Sequence, residues 1–291
     1  MSEKDVLVAL SGGVDSAVAA ALLVQQGYEV TGVTLSYGAV SDSGCCSVSD
    51  VDDARRVADM LGIEHHVFNF GDDFNEHVVD PFVAAYNSGR TPNPCIECNR
   101  HIKFDRLLRR ADMLGFDLIA TGHHARVVET DGVYRMARGA DAAKDQSYVL
   151  HMLGQAQLRR LLLPVGSMTK DRVREIANDI ELRVANKPDS QDICFISRAG
   201  GKEAFLGDRI KLKPATIIDG SGAQVGSAPA VQLVTIGQRK GIGLAGNDSR
   251  QYVTDINHRD GIITVGPQED LWSMSCRSRP SSGRTSRLKG Q

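Results

Sequence analysis

The sequence predicts an α/β fold, a doubly wound parallel sheet that is followed by a small β domain. Strand patterns alternate with helical patterns in the first half of the chain, which is typical of a parallel sheet covered on both faces. Beyond residue 211, short apolar runs separated by Gly, Asp and Asn indicate a β-rich domain. We therefore expect one domain over 1–205, a second over 206–272, and a basic, disordered tail over 273–291.

The elements follow from apolar periodicity. Val6–Leu10 is a continuous apolar run, and Val14–Gln26 has apolar residues at helical spacing before Gly27 ends the helix. The rest of the sheet domain predicts strands at 29–36, 64–70 and 116–121, and helices at 51–61, 74–87 and 100–114. The pattern is then helical over 139–178 with a break at Pro164–Gly166, and strands are expected in the second domain at 215–218, 231–236, 251–256 and 261–265.

Composition and charge argue against a disordered chain, a protein with a global positive field for nucleic acid and a membrane protein. The 291 residues are 42% hydrophobic and 24% charged, as is typical of a globular chain with a sizeable core. The formal net charge of -2 provides no global positive field, so a site for a polyanion has to be local. No apolar run reaches roughly eighteen residues and no signal-peptide pattern opens the chain, which predicts a cytoplasmic protein without a membrane partner.

The strongest local signal is Ser11–Ser16, Ser-Gly-Gly-Val-Asp-Ser, between the first strand and the first helix. Its glycines allow close approach of a ligand, and the helix N-terminus attracts an anion, so the loop predicts a phosphate site. It lacks the Gly-Lys-Ser/Thr ending of a P-loop kinase and the spaced glycines of a dinucleotide site. Because a carboxylate repels phosphate unless a cation bridges them, Asp15 is assigned a role linked to Mg²⁺. The alternative is a plain turn with an Asp cap.

Six cysteines are too few for a disulfide scaffold in a chain of this length, which favours metal binding or catalysis. Cys95 and Cys98 form a Cys-x-x-Cys at the mouth of a helix expected to begin near Asn99. There the helix dipole and basic neighbours would lower a thiol pKa and supply thiolate at neutral pH. A zinc half-site, a redox pair and a sulfur-handling nucleophile with a helper all remain open, although the adjacent Cys45 and Cys46 make a poor second zinc pair.

Several ordered motifs over roughly the first two thirds of the chain resemble one family, the tRNA-specific 2-thiouridylases, within the PP-loop ATP pyrophosphatase superfamily. The motifs are Ser11–Ser16, Arg90–Pro94, Cys98–Asn99, Lys103–Phe104, Ala120–His123, Lys144–Tyr148 and Asp189–Ile196. The resemblance implies a sheet domain similar to adenine nucleotide alpha hydrolases. It also implies that ATP adenylates the C2 oxygen of the wobble uridine of tRNA before sulfur displaces AMP.

The resemblance further implies roles for single residues. Cys98 would be the nucleophile and Cys194 the carrier of a persulfide, with Cys98 either attacking C2 or releasing sulfur by forming a disulfide with Cys194. Many relatives carry Asp at the position of Cys95, so a 4Fe–4S cluster on Cys95, Cys98 and Cys194 stays open. Residues expected to bind ATP are Ala9, Leu10, Ser11, Gly12, Gly13, Val14, Asp15, Ser16, Leu35 and Gly122. Those expected to contact tRNA or the target base are Asn93, Pro94, Cys95, His123, Lys144, Asp145 and Gln146.

The implied cofactors are ATP and Mg²⁺, and the implied partners are tRNA and a sulfur-donor or sulfur-relay protein. A helix with a local basic stripe could bind RNA phosphates, or it could be a solvated face; its residues are Arg100, Lys103, Arg106, Arg109 and Arg110. For His123 the alternative is a hydrogen-bonded structural histidine. His124 stands where relatives usually have an aromatic residue, and no role is assigned to it.

Relatives continue into a C-terminal β-barrel that helps to grip tRNA, whereas family character is lost here after Trp272. We therefore expect an intact ATP site and weaker binding of tRNA. Two other functions remain as alternatives: another PP-loop adenylating enzyme of the amidotransferase or synthetase type, and a non-catalytic module that binds nucleotides or RNA.

Overall fold

The computed structural model describes residues 5–37, 48–189, 193–196, 201–244 and 250–272. The features noted above at Cys45, Cys46 and 273–291 lie outside these residues. The chain divides into two compact units, the first formed by Met1–Phe82 and Asn93–Gly201, and the second by Val83–Pro92 and Lys202–Gln291. The segment Val83–Pro92 thus belongs to the second unit, although it lies in the middle of the first domain that was expected over 1–205.

The first unit is built on a parallel sheet, which confirms the predicted fold class. Its strands, with a separate hairpin, are β1 (Asp5–Ala9), β2 (Glu29–Ser36), β3 (Glu64–Asn69), β4 (Leu118–Thr121), β5 (Ala125–Thr130), β6 (Val133–Arg138) and β7 (Leu161–Leu162). Five strands pair in the order β3-β2-β1-β4-β7, all parallel. Because β2 and β4 lie on opposite sides of β1, the strand order reverses at β1, where doubly wound folds bind ligands.

The helices of this unit are mostly short. They are α1 (Val14–Gln25), α2 (Val48–Leu61), α3 (Gly71–Phe74), α5 (Pro94–Glu97), α6 (Leu107–Leu114), α7 (Gln155–Leu158) and α8 (Lys170–Asp179). Helix α4 (Asp80–Asn87) begins in this unit and continues into the segment from Val83 that belongs to the second unit. π-Helical segments join α3 to α4 at Asn75–Val79 and α5 to α6 at Cys98–Arg106. The helix expected from residue 100 therefore begins at Pro94, because Asn93 caps it and proline is preorganised for the first helical position.

The sequence predictions for this unit miss two features. The expected break at Pro164–Gly166 coincides with a 3₁₀ helix at Pro164–Ser167, but the stretch 139–178 is also interrupted by a 3₁₀ helix at Ser147–Leu150 and by the short β7, so it is not helical on either side of that break as expected. The β5-β6 hairpin was also missed. Its turn has positive φ at both Asp131 and Gly132, the conformation that an Asp-Gly turn favours, so the sequence did contain a signal for it.

Helix α1 is the centre of the first unit because it is apolar on nearly all sides. On one side Val14, Ala17 and Val18 pack with residues of α8 such as Val173. On the other, Ala20 and Leu23 pack against strand residues of the sheet. Burying one helix on two faces fixes its N-terminus, and therefore the Ser11–Ser16 loop, against the carboxyl end of β1.

The second unit confirms the expected small β domain. It contains α9 (Lys202–Gly207) and the strands β8 (Ala215–Ile218), β9 (Gln224–Ala228), β10 (Tyr252–Asn257) and β11 (Ile262–Gly266), paired in the order β10-β11-β8-β9. The strand expected at 231–236 is instead a 3₁₀ helix, Val231–Leu233, whose apolar side chains cap the core, and β9 was missed. None of the helices in the described residues is long and apolar enough to cross a membrane.

Candidate nucleotide and sulfur-transfer site

The loop Ser11–Ser16 and the residues after β4 meet at the point where the strand order reverses. A Cβ atom on Gly122 would lie 2.5 Å from the backbone nitrogen of Ser16 and 2.6 Å from the carbonyl carbon of Asp15. No side chain fits there, so glycine is required for this approach. The two segments expected to bind ATP are therefore brought together, while Leu35 is buried near the carboxyl end of the neighbouring β2.

The loop has the backbone geometry of an anion site. Gly12 has a φ of +71°, and a Cβ there would lie 2.4 Å from the carbonyl oxygen of Asp50. Ser16 Oγ accepts from the Ser11 N–H at 3.1 Å and donates to the Gly13 carbonyl at 3.1 Å. No side chain caps the N-terminus of α1, which leaves its positive partial charge available to a phosphate. Ala9, Leu10 and Val14 support the loop from the core side.

Asp15 carries two partners that the sequence did not suggest. The Lys170 ammonium group donates to both carboxylate oxygens at 2.7 Å, and His124 Nε2 lies 3.0 Å from Oδ1. Burial alone would raise the pKa of Asp15, but hydrogen bonds from His124 and Lys170 outweigh burial and lower it. Asp15 is therefore a carboxylate. Lys170 and His124 lie far from it in sequence, and no local pattern marks either of them as its partner.

Lys170 also joins the loop to the segment that leads toward Cys194. Its ammonium group lies 2.8 Å from Asp189 Oδ1, and Asp189 is bound as well by Lys144 at 2.6 Å and Arg174 at 3.0 Å. Burial opposes ionisation of Asp189, yet the hydrogen bonds from Lys144 and Lys170 lower its pKa to about 2. A network of charged hydrogen bonds therefore ties Asp15 to Asp189.

A second lysine, Lys187, also contacts the loop. The Lys187 ammonium group donates to the Gly12 carbonyl at 2.9 Å, to Asp50 at 2.8 Å and to Asp53 at 2.6 Å. Because both aspartates belong to α2, Lys187 fastens the start of α2 to the loop. Sequence reasoning assigned no role to Lys187, Asp50 or Asp53.

The Cys-x-x-Cys lies within the first turns of a helix. Asn93 Oδ1 accepts from the Cys95 N–H at 3.0 Å, so Asn93 is the N-cap and Pro94 the first helical residue. Cys95 is exposed and Cys98 partly buried. The expectation of a thiolate is wrong: burial raises the pKa of Cys98 to about 11, although Lys103 acts in the opposite direction. Burial also raises the pKa of Cys95, so desolvation exceeds the effect of the helix dipole and basic neighbours.

Cys194 approaches Cys98 although 96 residues separate them in the chain. The Tyr37 hydroxyl lies 3.8 Å from Cys98 Sγ, and the Tyr37 ring stacks on Phe74 at 4.3 Å between ring centroids. Phe74 in turn meets Phe195 edge to face at 5.7 Å. The negative charge of a Cys194 thiolate raises the pKa of both Cys95 and Cys98, as expected of a near neighbour. Aromatic packing therefore brings the two cysteine segments together.

The described residues contain no group of three or more His, Cys, Asp or Glu side chains that could hold a metal ion. Cys95, Cys98 and Cys194 thus do not form a ligand set for a 4Fe–4S cluster in this arrangement, and the described residues offer no ligands to complete a zinc site at the Cys-x-x-Cys. For Mg²⁺, Asp15 is a suitable single carboxylate, since Mg²⁺ is usually held by one or two carboxylates together with water and substrate phosphates.

The residues expected to contact tRNA are engaged within the protein. His123 is buried and its Nδ1 lies 2.7 Å from Thr121 Oγ1; burial holds its pKa well below 6.5. This geometry favours the structural alternative for His123. Asp145 accepts from Gly139 N–H at 2.8 Å, and Gln146 Oε1 accepts from His124 N–H at 2.9 Å, while Lys144 is bound to Asp189.

The basic stripe is largely paired with acids. Arg100 lies 3.3 Å from Glu97, Arg106 lies 2.6 Å from Asp73, and Arg109 lies 2.9 Å from Asp105. The guanidinium of Arg110 lies 5.4 Å from the centroid of the Phe68 ring. These pairs reduce the net positive charge that the helix presents, so the solvated-face alternative gains support.

Two family models cover most of the chain. Residues 4–198 match the model described as the tRNA methyl transferase HUP domain, and residues 203–267 match the tRNA methyl transferase PRC-barrel domain. The two matches meet between 198 and 203, where the first unit ends at Gly201.

Curated relatives are similar over nearly the whole chain. The chain is 50% identical to the tRNA-specific 2-thiouridylase MnmA of Mycolicibacterium smegmatis over 281 residues, which cover 93% of this chain and 78% of that protein. It is 47% identical to the enzyme of the same name from Clostridium botulinum over 279 residues, 94% of this chain and 77% of that protein.

Similarity to solved structures is lower. The U34-tRNA thiolase NcsA from Methanococcus maripaludis with its 4Fe–4S cluster is 19% identical, with a TM-score of 0.43 over 70% of this chain and 62% of that chain. Nothing is concluded from a likeness at that level. The family models and the relatives at 47–50% identity suffice, and the chain belongs to the tRNA-specific 2-thiouridylase family.

Proposed function

We propose that this protein is an ATP-dependent tRNA-uridine 2-sulfurtransferase that converts the wobble uridine of tRNA to 2-thiouridine. The observation that carries the proposal is the convergence of Cys98 and Cys194 through the Tyr37–Phe74–Phe195 aromatic row. Sulfur transfer between two cysteines requires such proximity, whereas an adenylating enzyme that uses ammonia gives no reason for it. The names of the curated relatives support the same activity.

The nucleotide would bind at the Ser11–Ser16 loop. Backbone N–H groups at the start of α1 suit a phosphate, and Gly122 leaves room for close packing behind the loop. Asp15 would hold Mg²⁺ together with the phosphates of ATP, and Mg²⁺ would supply charge neutralisation for the transfer of AMP. The protein's own part is to orient Asp15, which Lys170 and His124 do through hydrogen bonds.

Sulfur would reach uridine in two bond exchanges. In adenylation the C2 oxygen attacks the α-phosphate of ATP and pyrophosphate leaves; the C2 oxygen then becomes a good leaving group, because AMP departs as a stable anion. The Cys98 thiolate attacks the inner sulfur of a Cys194 persulfide, forms a Cys98–Cys194 disulfide and expels hydrosulfide. Hydrosulfide adds to C2, the C2–O bond breaks and AMP leaves. An external thiol reductant then restores both cysteines, and a sulfur-donor or sulfur-relay protein reloads Cys194.

The high pKa of Cys98 makes its deprotonation part of this scheme. With the pKa near 11, only a small fraction of Cys98 is thiolate at neutral pH. Lys103 and the Tyr37 hydroxyl both favour the thiolate, so they are the groups that would stabilise it when persulfide and substrate are present. We also propose that Asn93, Pro94 and Cys95 face the target base at the start of α5, with tRNA contacts from Lys144, Asp145 and Gln146.

One assay tests the proposal. Purified protein is incubated with ATP, Mg²⁺, a persulfide donor and unmodified tRNA, and 2-thiouridine is measured by mass spectrometry together with AMP and pyrophosphate. The wild-type chain should form all three. Cys194→Ser should lose 2-thiouridine and free AMP but still release pyrophosphate as the C2 oxygen is adenylated, while Asp15→Ala should lose all three products.

Other outcomes identify the rival functions. Formation of 2-thiouridine by Cys194→Ser would refute the persulfide scheme. Absence of AMP formation by the wild-type chain, with intact binding of nucleotide or RNA, would favour a non-catalytic module. AMP formation that needs ammonia rather than sulfur would favour an amidotransferase. If the protein binds iron after anaerobic purification and Cys95→Ser does not, a 4Fe–4S cluster on the three cysteines would be favoured. No step of the scheme above depends on such a cluster.

A further inference from the structure

Asn99 carries a buried hydrogen-bond acceptor without a partner in the described part of the chain. Its side chain is 3% exposed, and no donor reaches Oδ1. Folded proteins pair nearly all of their buried polar atoms, because an orphaned acceptor has lost water and gained nothing in exchange. A leucine or alanine at this position would avoid that cost. The orphaned oxygen therefore points to a donor that lies outside the described residues.

The position of Asn99 indicates where that donor comes from. Asn99 directly follows Cys98, and it lies four residues after Cys95 and four before Lys103 in the helical stretch that begins at Pro94. Four residues make close to one full turn both in the α-helical part of this stretch and in the π-helical part that begins at Cys98, so these three side chains lie near one face and form one row. Lys103 is close enough to this row for its charge to act on the thiols of both Cys95 and Cys98. The acceptor is thus beside the reacting groups.

The target base offers the complementary donor. Uracil presents an N3–H group between its two carbonyls, and N3 is the ring neighbour of C2, where sulfur enters. Cytosine has a bare acceptor nitrogen at N3. An amide oxygen in a dry site would therefore accept a hydrogen bond from uracil and oppose cytosine, since two acceptors would face each other. A site built to hydrogen-bond one base rejects the analogue that leaves its buried group unpaired.

We propose that Oδ1 of Asn99 accepts a hydrogen bond from N3–H of the target uridine and makes Asn99 a specificity-determining residue for the base. The inference rests on the proposed function, because it names the recognition of that substrate. It assigns Asn99 a contact that also fixes the orientation of C2 relative to Cys98. The contact recognises the unreacted base: adenylation of the C2 oxygen forms a C2=N3 bond and releases the N3 proton, and the proton of the incoming hydrosulfide restores N3–H when AMP leaves and C2=S forms.

The test measures binding rather than turnover. The full chain is titrated with anticodon stem-loop RNAs that carry uridine, 3-methyluridine or cytidine at the target position. Wild type should prefer uridine by about 10- to 100-fold, the range for a buried hydrogen bond whose loss leaves a group unpaired. Asn99→Ala should bind the uridine RNA as weakly as wild type binds the 3-methyluridine RNA, and it should bind all three RNAs alike.

A stability measurement separates recognition from a structural role. Asn99→Leu fills a similar volume without a polar atom, so it should unfold at the same temperature as wild type or higher, while it loses the preference for uridine. The exposed Asn178 on α8 provides the matched control, and Asn178→Ala should keep the wild-type preference.

Several results would overturn the inference. These are equal binding of uridine and 3-methyluridine RNAs by wild type, an unchanged preference in Asn99→Ala, or marked destabilisation of Asn99→Leu with equal loss of affinity for all RNAs. Failure of the proposed function looks different, since a chain that prefers uridine but forms no 2-thiouridine would retain this contact and lose only the sulfur chemistry.

Discussion

The hydroxyl group of Tyr37 lies 3.8 Å from Sγ of Cys98, and this hydrogen bond favours the thiolate that burial disfavours. Tyr37 is itself 4% exposed and stacked on Phe74, so its hydroxyl is held in position. Tyr37 therefore has two roles: its ring belongs to the aromatic row that brings Cys194 close, and its hydroxyl lowers the pKa of Cys98, the proposed nucleophile.

Tyr37→Phe should make Cys98 less reactive. The variant keeps the ring and its stacking but removes the hydroxyl, so the pKa of Cys98 should rise above its value of about 11. Alkylation of Cys98 by iodoacetamide, followed by peptide mass spectrometry as pH is raised, should shift to higher pH. Tyr134→Phe on the β5-β6 hairpin is the matched control and should keep the wild-type profile. An unchanged profile in Tyr37→Phe would show that the hydroxyl does not act on the thiol.

Lys170→Met should destabilise the first unit and weaken ATP binding. It leaves Asp15 and Asp189 without the ammonium group that lies 2.7 and 2.8 Å from them. Breaking a buried ion pair by removing one partner costs about 3–5 kcal/mol, and incomplete burial of the aspartates places the loss at about the lower end of that range. Unfolding in urea measures the free energy, and calorimetric titration measures ATP affinity.

The matched control is Arg172→Met on the same helix. Arg172 is exposed and pairs only across one turn with Glu175, so its loss should change the free energy of unfolding by about 0.5 kcal/mol or less. Equal effects of Lys170→Met and Arg172→Met would contradict a special role for Lys170 at the loop.

Gly122→Ala should disrupt the phosphate loop. The added Cβ would lie 2.5 Å from the backbone nitrogen of Ser16, and backbone cannot move aside as a flexible side chain can. Overpacking of this kind costs about 1–3 kcal/mol, and here it displaces the start of α1. ATP affinity should therefore fall at least tenfold. In Gly220→Ala the new methyl group meets nothing within 4 Å, so that variant should bind ATP like wild type; a normal affinity in Gly122→Ala would refute the tight approach.

His123 should make stability depend on pH. Burial, with the nearby charges of Lys103 and His124, keeps the pKa of His123 well below 6.5, so the unfolded chain takes up a proton more readily than the folded one. The free energy of unfolding should therefore decrease as pH falls below about 6.5. His123→Gln should flatten this decrease in urea titrations, whereas His151→Gln, at an exposed histidine, should retain it. A slope that persists in His123→Gln would assign the effect to other groups.

Much of the fold could be predicted because its signals are local. The patterns that predict strand β1, the intervening glycines and helix α1 all lie within residues 5–25. The alternation of strand and helix patterns predicts the fold class. The π-helical segments and the 3₁₀ helix at Val231–Leu233 could not be predicted, since tertiary packing of apolar side chains decides them. The β5-β6 hairpin is different, because its Asp-Gly turn was visible in the sequence.

In the candidate site, too, the residues marked by local motifs could be predicted and those brought in from distant parts of the chain could not. Loop Ser11–Ser16 and the Cys-x-x-Cys were found from short motifs, while Lys170 and Lys187 became apparent only in three dimensions. The acidity of Cys98 was misjudged because helix position and neighbouring charges can be inferred from sequence, and the degree of burial cannot. Burial is the largest cause of the shift in its pKa.

The ammonium groups of Lys170 and Lys187 contact residues that precede them by 155 and 175 positions. During synthesis at about 5–20 residues per second, Asp15 is therefore added to the chain roughly 8–30 s before Lys170. A growing chain that stops short of these lysines possesses the glycine loop without its cationic supports. ATP can thus stabilise only a nearly complete first unit, so the nucleotide would act late in the folding of this unit rather than at its start.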